Sequence, residues 1–507
     1  MCSSTGRKCD YIDTPDGRTR TVREMQVPAH PASNLNLVAR RLLPRPLVDP
    51  SQAGLTTAER WYLNLFRGQT SKECTGYMFD DFWQGLVHRV SEQEPAVRHA
   101  AIATSSMHWL FVQNYAGIDS WDAKSVPGAT PRMKRNISFS LQQCTKALVS
   151  LRQSLAMEGA YTTSSAHKEA VLVTCVMLVS LALFQGDLKA VTSHLRSGYG
   201  VLMEWQKVNF DGNPSGEILV RVFQELQLHR MTFSFPPHLK GSSEVTPFWQ
   251  TIDQCRPMQG VMVSGSEYAI ILGSIISAIY PSGFEQRMGS KAHGLNAALG
   301  DLLHTNTESA EKTLMERMEG WNRELSTFVS SYGHTLLPQD RSQLLLMELW
   351  TMTNNNLIAY VSQAPDEMNF DSFLPRFQRI NELAAQYLDL EKHRSMFSAK
   401  PMLLQVIYFC AVKCRDWHTR QEALRLMRAS RRQEGLWGSA HLAALLELVI
   451  EQEHAGLTPD DVVPREARFD AIHPSPLNQD KLHLWCHRPY SGDGNDKGVW
   501  THSVISP

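Results

Sequence analysis

The chain carries no charge imbalance: 50 Lys and Arg against 51 Asp and Glu leave a net charge of −1 over 507 residues. That excludes a nucleic-acid footprint spread over the whole surface, so any DNA contact must be local. Cysteine is sparse. Nine in all, an odd number with no even framework, argue against a disulfide scaffold and for a reducing compartment. No apolar run reaches the roughly 20 residues of a membrane span. The longest, Ala170 to Phe184, contains Thr174 and Ser180 and reads as a buried core helix. The first residues are polar and charged, so neither a secretory signal nor a membrane partner is expected. Catalytic signatures are missing too. There is no dinucleotide or phosphate-loop glycine motif, no His-Glu-x-x-His and no Gly-x-Ser-x-Gly, so no catalytic residue is nominated and no enzyme is expected. No fixed-period repeat appears, which excludes a regular solenoid.

What is there belongs to a globular protein: 43% hydrophobic and 20% charged residues. The length exceeds what one core supports, so more than one packed unit is expected. Residues 13–58 read as a linker, because Pro15, Gly17, Pro28, Pro31, Pro44, Pro46 and Pro50 exclude long helices. From 59 to 463 the pattern is helical. Thr57 to Arg60 lead into an aromatic helix, Asp80-Asp81-Phe82-Trp83 open a second, and Pro95 stands at the first position of a third. Between Met133 and Met157, residues Ile137, Leu141, Cys144, Leu148, Leu151 and Leu155 recur by fours and threes, one apolar stripe on a helix. With fewer than three heptads, it reads as a core-facing bundle helix rather than an intermolecular coiled coil. Helices 168–184 and 187–205 flank the break at Gly186-Asp187 and read as an αα-hairpin. Further helices are expected near 216–232, 266–280, 291–304, 308–331, 340–361, 371–389, 399–415, 419–431 and 436–454. The fold class is therefore all-α, an irregular multi-helix bundle of antiparallel pairs. In the tail, 464–507, Lys481 to Cys486 and Val499 to Val504 are expected to form a small hairpin.

Two clusters invite metal chemistry and are better read otherwise. Cys410 and Cys414, one helical turn apart beside Phe409 and Val412, read as small buried apolar residues. His483 and His487 align on a strand with His502 nearby, but Cys486 falls on the opposite side, which spoils a three-ligand site.

The most informative segment is the first. Cys2-Ser3-Ser4-Thr5-Gly6-Arg7-Lys8-Cys9-Asp10-Tyr11 resembles the closing half of the binuclear zinc cluster (Zn2Cys6) of fungal transcription factors. On spacing alone, Cys2 and Cys9 are two free thiols. In the resembled pattern they stand fifth and sixth among six cysteines, with the first four not in the chain. Inner segments extend the likeness to the fungal-specific regulatory region. They are Phe79 to Trp83, Glu94-Pro95-Ala96-Val97-Arg98-His99-Ala100, and His194-Leu195-Arg196-Ser197-Gly198, all within about residues 55–210.

The resemblance implies a remnant of a DNA-binding domain in residues 1–12 and an all-α regulatory domain in 59–463. It implies Cys2 and Cys9 as zinc ligands, and Arg7 and Lys8 as phosphate contacts. Two thiolates do not close a tetrahedral site, so zinc is expected only if the other cysteines are supplied, and none in this chain alone. The implied function is sequence-specific transcription regulation in the nucleus. The implied partners are DNA through an intact cluster, transcriptional partner proteins and, as an open alternative, a small-molecule effector. A rival reading is a head-less helical interaction protein that modulates intact regulators.

Overall fold

The computed structural model describes residues 54–75, 81–115, 131–157 and 164–209 except Gly186, isolated residues within 214–226 and 319–336, and most of 338–505. The gaps in the last stretch are 362–365, 392–395, 400–401, 436, 479–480 and 490–497. The expected helices 266–280 and 291–304 lie outside the described residues.

α1 (Thr57–Leu65) starts where Thr56 and Glu59 close a reciprocal cap. The Thr56 hydroxyl accepts the Glu59 N–H at 3.3 Å, and Glu59 Oε2 accepts the Thr56 N–H at 2.8 Å. A π-helical turn, Phe66–Thr70, leads into α2 (Ser71–Thr75). A second, Asp81–Leu86, opens α3 (Val87–Gln93) and buries Phe82, Trp83 and Leu86. α4 (Pro95–Tyr115) begins at proline, as expected. Its small residues let α5 (Pro131–Met157) lie close enough for Ser140 Oγ to reach the Ala103 carbonyl at 3.1 Å. α6 (Ser165–Gln185) and α7 (Leu188–Asn209) form the expected αα-hairpin, with Asp187 capping α7 through the Ala190 N–H at 2.9 Å. α6 is long and apolar enough to cross a membrane, yet 89% of its most apolar window is buried inside the protein. It is the central helix of the first core, and the hydroxyls of Thr174 and Ser180 are satisfied by its own carbonyls.

The second core is built by α8 (Pro338–Val361), a 3-10 turn Glu367–Phe373, α9 (Leu374–Leu390), α10 (Leu404–Lys413), α11 (Trp417–Ala429) and α12 (Ser439–Glu453). Two small sheets were harder to foresee. In the first, β1 (Met396–Ser398) pairs in parallel with β2 (Arg432–Glu434), which turns at Gly435, φ 60°, into β3 (Trp437–Gly438). The expected helix at 399–415 begins only at Leu404. Its N-terminal acceptor comes from a distance: Glu434 takes the backbone N–H groups of Met402, Leu403 and Leu404 at 2.8, 3.0 and 3.1 Å.

The expected tail hairpin is present and belongs to a three-stranded antiparallel sheet. β5 (Lys481–Arg488) and β6 (Val499–Ile505) pair as expected, and β4 (Ala471–Asn478) adds an edge strand. Pro474 and Pro476 are admitted because an edge strand leaves alternate N–H positions outside the ladder. Ile472, Leu482, Leu484, Cys486 and Ile505 point into the second helical core.

One helix departs from its pattern. α5 buries Ser140, Gln143 and Ala147 against α4, while Leu141 and Leu148 remain 49% and 42% exposed. Of the stripe read as core-facing, Leu141 and Leu148 are turned outward, Ile137 and Cys144 are half-buried, and Leu151 packs against the first core. Polar bonds from Gln143 to Glu59 and His99 act with the packing of Phe139, Ala147 and Leu151 on the first core to set the rotation of this helix.

Candidate functional site

Cys2, Arg7, Lys8 and Cys9 lie outside the described residues. The remaining motif residues do structural work. In the segment Glu94 to Ala100, Ala96, Val97 and Ala100 are buried. Arg98 donates to the Ser91 and Glu92 carbonyls at 3.0 and 2.7 Å, closing the end of α3. His99 Nδ1 meets Gln143 Oε1 at 2.8 Å, and Gln143 in turn donates to Glu59 at 2.8 Å. Burial pushes Glu59 up, but Lys146, the Thr56 N–H and Gln143 outweigh it and hold the carboxyl at about 2. In the segment His194 to Gly198, the glycine lets α7 meet its neighbours. A Cβ there would lie 2.5 Å from Phe223 Cζ and 3.1 Å from Cys175 Cβ.

A hydroxyl–imidazole–carboxylate line joins the first core. Thr70 Oγ1 lies 2.8 Å from His108 Nδ1, and His108 Nε2 lies 2.9 Å from Glu73 Oε2. The composition resembles a nucleophile, a base and its orienting acid. All three are buried, at 0%, 1% and 8% exposure, and the imidazole stacks on Phe397 at 5.3 Å. A base that cannot meet a substrate performs no transfer, so the line acts as a polar rivet. Phe397 belongs to β1, whose side chains divide between the two cores. Met396 enters the second and Phe397 the first; just past the strand Ala399 also enters the first, and its N–H reaches the Cys74 carbonyl at 3.3 Å.

The densest charge cluster lies in the second core. Glu367 receives Lys413 Nζ and Arg415 Nη1, each at 2.8 Å. Glu453 receives Arg415 Nη2 at 3.2 Å, Arg420 Nη2 at 2.6 Å and the Phe469 N–H at 2.7 Å. Arg468 grips Asp371 with two nitrogens at 2.8 and 2.7 Å. Burial pushes Glu453 up, yet Arg415 and Arg420 outweigh it and bring the carboxyl down to about 2. These four cations and three carboxylates tie the 3-10 turn, α10, α11, α12 and the start of the tail into one unit. Sequence reading missed the cluster. Its one visible trace is charge inside apolar surroundings, as with Arg468 beside Phe469.

The cysteines and histidines singled out in the sequence fall in two different places. Cys410 and Cys414 are free and buried, and burial pushes the Cys410 thiol well up and Cys414 to about 11. On the outer face of the tail sheet, His483 Nδ1 and His502 Nε2 are 2.8 Å apart, and Trp485 stacks on His502 at 4.0 Å. Cys486 points inward to the core. Among the described residues no group of three or more His, Cys, Asp or Glu could hold a metal ion.

The fungal specific transcription factor domain matches residues 71–449, more than half the chain, and the protein belongs to that family. The chain is also similar to the aspercryptin biosynthesis cluster-specific transcription regulator of Emericella nidulans (strain FGSC A4), 20% identical over 407 residues. That alignment covers 76% of this chain and 60% of the relative, so the chain spans less than two thirds of that regulator's length. No solved structure matches.

Proposed function

We propose that this chain is the regulatory body of a sequence-specific transcription regulator of the zinc-cluster class, acting in the nucleus. The family match over 71–449 carries this reading, and the spacing of Cys2, Arg7, Lys8 and Cys9 supports the finer class. Cys2 and Cys9 supply two thiolates where a structural zinc takes four ligands, so no zinc-dependent step is assigned to this chain. Arg7 and Lys8 offer two phosphate contacts, enough for weak, nonspecific association.

The test is footprinting with and without zinc. The 507-residue chain should give no zinc-dependent protection, and its weak DNA binding should fall with salt at a log–log slope of about −2. A protein translated from a longer transcript that carries the other four cysteines in frame should gain a specific footprint. A zinc-dependent footprint by the 507-residue chain itself would overturn the reading. The second reading, a helical interaction protein that modulates intact regulators, is favoured by the outward leucines of α5.

A further inference from the structure

Two imidazole nitrogens converge on the outer face of the tail sheet. β5 and β6 pair without interruption from Leu482 opposite Ile505 to Arg488 opposite Val499. That register sets His483 opposite Val504 and Trp485 opposite His502, so the two histidines are diagonal neighbours on one face. The inner face is anchored, since Leu482, Leu484, Cys486 and Ile505 pack in the second core. On the outer face His502 is exposed and His483 is half-buried. Their ring centroids are 5.0 Å apart, and His483 Nδ1 meets His502 Nε2 at 2.8 Å. Trp485 stacks on His502 at 4.0 Å and holds that ring in place. The two donors therefore stand on paired strands, which fix a ligand more firmly than a loop does.

Imidazole suits Zn2+, Cu2+ and Ni2+, and the separation of the two nitrogens distinguishes their geometries. At a metal–nitrogen distance of about 2.0 to 2.1 Å, neighbouring corners of a tetrahedron are about 3.3 to 3.4 Å apart. Neighbouring corners of a square at the same bond length are only about 2.8 to 3.0 Å apart. The observed 2.8 Å matches the square. The nitrogens point at one another across a hydrogen bond, so binding an ion needs the rings to pivot but not the strands to part. Square or tetragonal nitrogen sites are those of Cu2+ and Ni2+, and Cu2+ stands highest in affinity. Among the described residues no third His, Cys, Asp or Glu joins the pair, so water completes the coordination.

We infer that His483 and His502 form a two-imidazole site for a tetragonal divalent cation of the Cu2+ type, with water at the remaining corners. A bound ion bridges β5 and β6, the two strands whose inner faces close the second core. Because the ion binds the paired strands and not the unfolded tail, its occupancy stabilises that closure. The inference does not rest on the zinc-cluster reading, since it uses the tail and neither Cys2 nor Cys9.

The experiment is a Cu2+ titration of the full 507-residue chain, carrying Cys2→Ser and Cys9→Ser so that the N-terminal thiols do not compete. Electron paramagnetic resonance at less than one ion per chain should show an axial, tetragonal signal with hyperfine structure from two nitrogens. His483→Ala and His502→Ala should each weaken binding by about tenfold or more, because a single imidazole loses the gain of chelation. His418→Ala, at an exposed position of α11, should leave binding unchanged. Cu2+ should raise the melting temperature of the parent chain and not that of the two tail variants. The spectrum, rather than the order of affinities, reads the geometry, since Cu2+ outbinds Zn2+ at most nitrogen sites. A copper signal that is the same in both tail variants would overturn the inference, as would one without paired nitrogens. So would a parent chain that takes up no more Cu2+ than the His483→Ala/His502→Ala double variant, which would leave the pair a hydrogen bond only.

Discussion

Replacing Glu453 by Gln removes the charge at the centre of the second core while keeping the shape. In the wild type its carboxylate binds Arg415, Arg420 and the Phe469 N–H, all buried. The drop of its pKa from the ordinary 4.5 to about 2 corresponds to about 3 kcal/mol of stability. Breaking a buried pair by removing one partner costs a similar 3 to 5 kcal/mol, roughly, because Arg420 is left without a carboxylate and Arg415 keeps Glu367 alone. The sign with pH follows from the depressed value. The contribution is present above about 4.5 and is lost as pH falls toward 2, so the wild type should weaken across that window and the Gln variant should weaken less. Urea unfolding followed by circular dichroism, at neutral pH and through the acid range, measures both effects. A Gln variant with the wild-type midpoint and the wild-type acid slope would refute the reasoning. Replacing Glu453, Arg415 and Arg420 together by apolar residues of similar volume should recover much of the loss.

Two further substitutions probe the packing. Gly198→Ala sets a methyl 2.5 Å from Phe223 Cζ, so it should cost about 1 to 3 kcal/mol in thermal unfolding, with Phe223→Leu restoring part of it. Phe397→Ala removes the ring that meets His108, Phe111 and Phe184, at an expected cost of about 3 to 5 kcal/mol. Because β1 serves both cores, limited proteolysis of that variant should open sites in α4 and α9 together. Cleavage confined to one half would count against the strand as a link.

Helices with local signals were legible in the sequence. Thr56 with Glu59 and Asp187 mark starts through bonds made within three residues, and Pro95 marks one through its fixed φ and missing N–H; the structure begins α1, α7 and α4 there. The features that escaped depend on distant partners. The start of α10 is set by Glu434, about thirty positions away in the chain. β1 is three residues long and owes its existence to β2. The outward turn of Leu141 and Leu148 was not legible, because the bonds from Gln143 to Glu59 and His99 join α5 to positions far away in the chain. Prolines at 474 and 476 hid β4, since they argue against a strand unless its edge position is known. The buried ionic cluster gathers residues from 367 to 468, which no local window contains.

The family match runs from Ser71 to Val449, and the ties described above do not respect those limits. Thr70 and Glu59 precede it, yet they complete the bonds of His108 and Gln143. Glu453, Arg468 and the tail sheet follow it, yet they neutralise Arg415 and Arg420, engage Asp371 and close the apolar floor beneath α12. A recombinant fragment cut at the family limits would therefore leave Arg420 without its counter-ion, Arg415 with Glu367 alone and the core uncovered, and would be expected to precipitate. The smallest piece worth expressing runs from about Gly54 through Ile505.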